Sequence, residues 1–497
     1  MAIIAVVVAV VIAGSAVAFT LVKDKFSTAG PQAAEAIPAD AVFYVGIDLD
    51  PSAEQKINAL RFLNHFPAFK EASGVTDANT DIRKTFFDKV VATACPELSY
   101  DNDIEPWIGS KFAVAGMPPP QGATEPIVVG AVEVSDEDGV RTGLDKLAGC
   151  GGGGAHFGLA FTGGYAIVAE TQDQADQYAD AASSSSLADD SDFTSDMDSL
   201  GDLGVATAWV DIDGAFNLLS GQIPVDEISP SQLDLLRSSY QRAAVTFRFE
   251  SDHAELATTV YGDTPDVDHG DNQIVNLPDT TVLAASEAGG GERLAQSWDT
   301  IMQAAKESGT DIESQIQAFE DQTGLAVPED IETVLGENLM FAVDGSGLTS
   351  EALSNGDPSQ LDLGVRFTGD KDAINAIYEK VESLIEQEAD GNIPFVKQDT
   401  DDGIVIASND DYAGKLGSDG NLGDSDAFTS VVEDGASQEF VLFFNFDQVE
   451  EQVLQAASEN GAPTELIDNL RPIQAVAVTS ETDGNYTNGS FVLSVND

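Results

Sequence analysis

Basic residues are scarce in this chain. Across 497 residues, 22 lysines and arginines face 86 aspartates and glutamates, a formal charge of −64. Such a surface repels polyphosphate, which excludes nucleic acid as a partner. It also repels anionic lipid headgroups, so a basic patch lying on a membrane is excluded. Histidine is rarer still: His65, His156, His253 and His269 are the only four, and no two form H-x-x-x-H. His253-Ala254-Glu255 resembles half of the zinc-deaminase signature, but the P-C-x-x-C half is missing. Cysteine occurs twice, as Cys95 and Cys150. Two thiols are too few for a thiolate metal centre and suit one disulfide in an oxidising compartment, the alternative being two separate thiols. A bridge would close a loop of about 55 residues, worth on the order of 4 kcal/mol in the chain-closure model. Neither a G-x-S-x-G nucleophile elbow nor a P-loop is present.

The motifs that come closest to known chemistry each lack a member. Gly149-Cys150-Gly151-Gly152-Gly153-Gly154 matches G-x-G-x-x-G in letters only. A dinucleotide loop leaves a strand and opens a helix, whereas this one follows a helical pattern and precedes a strand. It reads as a flexible loop that lets Cys150 reach Cys95. Asp77, Asn79, Asp81 and Asp88 carry part of the EF-hand spacing, but Ile82 stands where that loop needs glycine. Asp263, Asp266, Asp268 and Asp271 form an acidic loop that fits no ligand template. Asp189, Asp190 and Asp192, and likewise Asp424 and Asp426, precede matched Phe-Thr-Ser segments and read as helix N-caps. The sequence therefore assigns no catalytic residue, no metal ligand and no cofactor.

What is present begins with a greasy N-terminus. Ala2 to Val22 carries no charge, and Lys23-Asp24-Lys25 ends it. As a helix it would span roughly 30 Å, about one hydrocarbon core. The expectation is an uncleaved signal-anchor with the body outside the cell. The alternative is secretion after cleavage at Ala16-Val17-Ala18. Basic residues are locally enriched between Lys56 and Lys89, a stretch able to dock an acidic neighbour, a second copy included, or to pair with its own acids.

The body then repeats itself. Ile37-Pro38-Ala39-Asp40 is answered by Leu277-Pro278-Asp279, and Asp103 to Gly109 by Asp330 to Gly336. Phe193-Thr194-Ser195 returns as Phe428-Thr429-Ser430, Val210-Asp211-Ile212-Asp213 as Phe444-Asn445-Phe446-Asp447, and Leu236-Arg237 as Leu470-Arg471. The order never changes and the offsets stay near 230–240 residues. Alternation predicts strands over Val42 to Leu49, Ile127 to Val134, Val205 to Ile212, Ala243 to Glu250 and Ala254 to Tyr261, with a hairpin turning at Gly163-Gly164. Helical spacing predicts helices over Ser52 to Phe66 (capped at Asp50-Pro51), Ile82 to Ala94, Ser135 to Leu147, Gln172 to Ala182 and Asp370 to Gln387. In the second half, strands are expected at Leu361 to Phe367, Gly403 to Ala407, Phe440 to Phe446, Gln474 to Thr479 and Ser490 to Val495. The expected fold class is α+β: two tandem homologous units, each a mainly antiparallel sheet with packed helices, behind one N-terminal transmembrane helix. Its parts are an anchor (2–22), a linker (23–37), a first unit (38–265) and a second unit (266–497).

The landmarks Ala36 to Asp40, Asp48-Leu49-Asp50-Pro51-Ser52, Leu60-Arg61-Phe62-Leu63, Phe66-Pro67, Asp103 to Gly109, Val134 to Asp138 and Leu187 to Asp190 together resemble the family called domain of unknown function 3352. The resemblance implies an extracytoplasmic body behind one membrane segment, of the kind found chiefly in high-GC Gram-positive bacteria. It implies no catalytic or ligand residue. The functional expectation is a non-catalytic, membrane-anchored envelope protein that binds or scaffolds, with the membrane and an envelope protein or polymer as partners. A hydrolase of cell-envelope polymers is the alternative, and a calcium-dependent binding module the third.

Overall fold

A computed structural model describes residues 31–49, 52–73, 95–119, 127–150, 157–219, 239–307, 311–349, 358–388 and 395–496, with isolated positions between these spans. The apolar stretch 2–22, the partial EF-hand spacing, His156 and the glycine run after Cys150 lie outside the described residues, as does most of the helix expected from Ile82 to Ala94. Among the described residues no helix is long and apolar enough to cross a membrane. They fall into two compact units, one holding residues up to 219 with Arg237–Gly262, the other running from Asp263. The fold is α+β, and every strand pairing within each unit is antiparallel.

The strands of the first unit are β1 (Phe43–Asp48), β2 (Ile108–Met117), β3 (Ile127–Val134), β4 (Gly158–Thr162), β5 (Tyr165–Ala169), β6 (Ala206–Asp211), β7 (Arg242–Phe249) and β8 (His253–Tyr261). Its helices are α1 (Ala53–Leu63), α2 (Pro67–Ser73), α3 (Glu137–Cys150), α4 (Gln172–Ser184), α5 (Ser191–Ser199) and α6 (Ile212–Leu219). The spatial order is β4-β5-β3-β2-β1-β6-β7-β8. Period-two alternation puts Tyr44, Ala115, Ala131, Ile167 and Trp209 on one face, where they meet Leu187, Phe193 and Met197 in the main core. A second cluster around Trp107, Phe112, Val132, Val140 and Leu144 includes Cys95. Gly163 and Gly164 turn the β4–β5 hairpin with φ of 57° and 86°, a left-handed pair that favours glycine. Helix α1 starts later than expected: its cap is Ser52, whose hydroxyl accepts from Gln55 N at 3.2 Å.

The second unit contains β9 (Thr281–Ala288), β10 (Asn338–Asp344), β11 (Leu363–Thr368), β12 (Val396–Asp399), β13 (Gly403–Ala407), β14 (Phe440–Asn445), β15 (Ile473–Asp483) and β16 (Tyr486–Val495). Its helices are α7 (Gly290–Glu307), α8 (Ile312–Thr323), α9 (Glu329–Leu335), α10 (Lys371–Glu388), α11 (Asp410–Leu416), α12 (Asp426–Thr429), α13 (Glu450–Glu459) and α14 (Thr464–Leu470). The order β12-β13-β11-β10-β9-β14-β15-β16 is that of the first unit, strand for strand. Small contacts repeat as well. Leu187 N donates to Ile37 O at 2.7 Å and Leu422 N to Leu277 O at 2.8 Å. Asp48 N donates to Val205 O at 2.8 Å and Ala288 N to Glu439 O at 2.7 Å. Phe193 meets Trp209 edge-on with ring centres 5.6 Å apart, and Phe428 meets Phe443 in the same way at 5.1 Å. One landmark differs locally. Asp103 and Ile104 end a wide helical turn (Tyr100–Ile104) and Ile108 opens β2, whereas Asp330 to Leu335 lies within α9.

Candidate functional site

In the first unit the N-terminal ends of β1 and β7 and the C-terminal ends of β2 and β6 lie along one edge of the sheet. There they frame a cleft of about 690 Å³. Ala39 to Val42 lead into β1, Pro118 and Pro119 leave β2, and Gln241 and Arg242 enter β7. Asp190 and Asp192 come from the start of α5, Trp209 and Asp211 from β6, and Asp213 and Gly214 from the first turn of α6. Five aspartates thus converge on the cleft, and Arg242 is its one cationic lining residue among the described residues.

A buried charge holds Arg242 in place. Asp196, on α5, has 1% of its side chain exposed. Its Oδ2 accepts from Arg242 Nε at 2.8 Å and from Trp209 Nε1 at 2.8 Å, and its Oδ1 accepts from Arg242 Nη2 at 3.1 Å. This bidentate pair fixes the guanidinium plane, which also stands 4.0 Å over the Tyr261 ring. Arg242 Nη1 lies 3.6 Å from Asp192. Asp190 caps α5, accepting from Asp192 N and Phe193 N at 3.0 and 2.9 Å. Asp213 pairs with Arg237 Nε at 2.9 Å. Asp211 accepts from Gly214 N at 3.2 Å. Burial pushes its carboxyl above the usual carboxylate range, the Gly214 amide opposes this, and neighbouring Asp213 raises it further.

The same place in the second unit is built from other chemistry. Asp211 pairs in register with Arg242, and Asn445 pairs with Ala475, so Ala475 holds the position of Arg242. Counting from the caps Asp190 and Ser425, Asp196 answers to Val431. Trp209 answers to Phe443. Val431, Phe443 and Ala475 are all buried in the second core. Asn445 replaces Asp211 and keeps its hydrogen bond, accepting from Gln448 N at 3.4 Å. Gly214, which lines the cleft without a side chain, answers to Gln448. The Gln448 amide donates to Asp279 O at 3.0 Å, and its Oε1 lies 2.7 Å from where a Cβ on Gly345 would stand. Gly214 is tight against its neighbours, a Cβ there standing 2.6 Å from Asp211 Oδ2 and 2.9 Å from Val42 Cγ1, so it lines the cleft with backbone alone, whereas Gln448 brings a side chain to the matched edge.

The residues singled out in the sequence distribute unevenly around this geometry. Asp190 and Asp192 belong to the cleft, and Asp190 is also the expected cap. In the second unit the cap is Ser425, not an aspartate, accepting from Phe428 N at 3.3 Å. Asp189 accepts from the Ser186 amide and hydroxyl, which holds its carboxyl below the usual range. Asp266 accepts from Gly484 N at 3.3 Å, and among the described residues no three His, Cys, Asp or Glu side chains gather as metal ligands. His253 lies beside Asp252 at 3.0 Å. Lys84 pairs with Asp101 at 2.9 Å. Cys95 is buried, and no free cysteine occurs among the described residues. Cys150 ends α3, its side chain lying outside the described residues. Lys146, one turn earlier on α3, pairs with Asp103, and Trp107 Nε1 donates to Asp103 O at 2.6 Å, so α3 is tied to the segment that follows Cys95.

Asp40, Asp211, Asp213 and Arg242 had carried no site assignment from sequence. Asp40, Arg242 and the pair Asp211 and Asp213 come from three separate segments, and no local motif joins all four. Contrast between matched positions finds two of them, Asp211 against Asn445 and Arg242 against Ala475, whereas Asp40 and Asp213 are answered by aspartates, Asp279 and Asp447.

No curated protein matches the chain. Residues 2–157 match the model of the family described as protein of unknown function (DUF3352), the family that the sequence landmarks resemble, and the matched span contributes Ala39 to Val42, Pro118 and Pro119 to the cleft.

Proposed function

We propose that this is a membrane-anchored, extracytoplasmic binding protein, built by tandem duplication, whose first unit recognises an envelope protein or polymer presenting ammonium groups. The observation that carries the reading is the contrast at one fold position. The second unit fills it with Val431, Phe443, Ala475 and Gln448, while the first keeps it open and lines it with aspartates. A buried ion pair is seldom needed for stability alone, since apolar replacements of similar volume often do as well. Here the second unit carries such replacements on the same strand order. Converging carboxylates in a concave site concentrate cations and fix their orientation. The charge-free stretch Ala2 to Val22 and the family resemblance support the anchor and the extracytoplasmic placement. Strand order and repeated contacts support the duplication.

The pairing of Cys95 with Cys150 belongs to this reading. Cys95 is not free, Cys150 is the only other cysteine, and Lys146 holds α3 against the segment after Cys95. Thiol titration of the unreduced, denatured chain should find no free thiol, and two would exclude the bridge.

A second reading, hydrolysis of envelope polymers, rests on Asp211, whose raised carboxyl lies near the carboxylate of Asp213. Binding is favoured because Asp190, Asp192, Asp211 and Asp213 are each held by a cap, an amide or an arginine. Calorimetric titration of the full chain in detergent, at constant ionic strength, with spermidine, a lysine-rich peptide and calcium chloride tests the proposal. Saturable binding of an amine, weakened about tenfold by Asp40→Asn with Asp213→Asn, is expected. A response to calcium alone would support the third reading of the sequence instead, and equal binding by parent and variant would remove the cleft from the account.

A further inference from the structure

We propose that the acidic helical layer of the second unit, α7 to α10, docks the basic helix α1 of a second copy of this chain. The first observation is apolar exposure. Among the described residues, Ile57 is the one large exposed apolar side chain of the first unit, at 48%. In the second unit Ile301, Phe319, Ile331 and Ile385 stand exposed on α7, α8, α9 and α10 in turn. These helices pack on one another, α8 and α9 each against both α7 and α10. Helix α8 has no buried residue, although Ile312, Ile316 and Phe319 recur at helical spacing. Along α10, Ile374 and Ile377 are buried, while Ile385, two turns on, is 41% exposed. Among the described residues, four of the nine large apolar side chains exposed in the second unit stand on this layer, and Phe341, Phe395, Val453, Leu466 and Phe491 lie elsewhere; four on adjoining helices mark a candidate interaction surface.

The second observation is charge. Glu313 and Asp321 on α8 and Asp372 and Glu379 on α10 are exposed on these helices, Glu313 pairing with Lys306 of α7 at 3.5 Å. The chain has a window of the opposite sign. Residues 56–89 hold six basic side chains and four acidic ones (Glu71, Asp77, Asp81 and Asp88), a balance of 6 − 4 = +2 within a chain of −64. Ile57 lies in this window, and Arg61, one turn on along α1, is exposed as well. Helix α1 is held to the turn between β7 and β8 by Gln55 and Asn58, whose side-chain amides donate to Phe249 O at 3.0 and 3.2 Å, and by exposed Arg61, whose Nη1 donates to Ser251 O at 3.5 Å. An outward stripe of one apolar and one basic residue thus complements a layer of apolar and acidic ones. At physiological salt, repulsion between whole bodies is screened beyond a Debye length of about 8 Å, while ion pairs in direct contact persist. The two surfaces differ, so the contact is heterologous, not one self-complementary patch. The proposal is independent of the cleft.

Sedimentation equilibrium of the full chain in detergent, over a wide concentration range, tests it. Self-association should weaken by about tenfold or more in Ile57→Glu, Phe319→Glu and Arg61→Glu, all exposed positions where folding tolerates change. Arg61→Glu combined with Asp321→Lys should recover part of the loss. A chain monomeric at every concentration would overturn the proposal. So would association indifferent to these substitutions, which would assign it to residues 2–22, and so would failure of the reciprocal pair to recover.

Discussion

Asp196 is where the balance of forces at a single residue is clearest. Its carboxylate is buried beneath the cleft and held by Arg242 and Trp209. Removing one partner of a buried pair strands the other charge, so Asp196→Ala or Arg242→Ala should each cost about 3–5 kcal/mol. Replacing Asp196, Trp209 and Arg242 together by Val, Phe and Ala, the residues of the second unit, should cost far less than the sum of the single changes. Urea unfolding of the parent, the single variants Asp196→Val, Trp209→Phe and Arg242→Ala, and the triple variant checks this, and additive losses would show that the second unit is no guide to the first. Asp211 makes a separate prediction. Its folded-state pKa is raised above the usual 3.8, mainly by burial. A raised carboxyl favours the folded state while protonated, and that contribution is lost as pH rises through the folded pKa. Asp211→Asn keeps an acceptor for Gly214 N, as Asn445 does for Gln448, and carries no charge. The variant should melt with the parent at pH 3, rise above it as pH climbs past the carboxylate range, and keep a constant lead thereafter.

At the scale of elements, caps and alternation set where the chain turns, and the same caps place the cleft. Asp190 closes the first turn of α5 and so aims Asp192 and Asp196 toward Arg242. Asp190→Ala should destabilise the first unit by about 1 kcal/mol, and Ser425→Ala the second by a similar amount, both read from denaturant midpoints. Elements with strong periodicity were legible in advance. Helix α10 was expected from Asp370 to Gln387 and runs Lys371–Glu388, and β1 lies within the expected Val42 to Leu49. The hairpin at Gly163-Gly164 was legible because two consecutive left-handed residues favour glycine. Others gave no signal. The four residues of β12 are too few to show a pattern, and three of them are exposed along the sheet edge. Helices α8 and α9 have no buried residue, so their apolar spacing is weak evidence on its own. The cleft was illegible for a different reason. Its aspartates also act as caps, turn acceptors and ion-pair partners, and among 86 acids nothing local separates those that converge.

At the scale of the molecule, an acidic body faces itself. Its carboxylates repel one another in the compact state, and dissolved salt screens them over about 10 Å at 0.1 M. The melting temperature should rise with ionic strength, and by the same amount for sodium and calcium salts at matched ionic strength. A melting temperature indifferent to both would defeat the self-repulsion argument. The central claim is that two units of one strand order differ in chemistry at one matched position, open in the first and filled in the second. The most direct measurement gives the first unit the residues of the second, with Asp196→Val, Trp209→Phe, Asp211→Asn and Arg242→Ala in one full chain. Its melting temperature and its spermidine titration are then compared with those of the parent. The account predicts a chain that still unfolds cooperatively near the parent temperature and no longer binds the amine. A variant that binds as the parent does, or that cannot fold with residues the second unit tolerates, would contradict it.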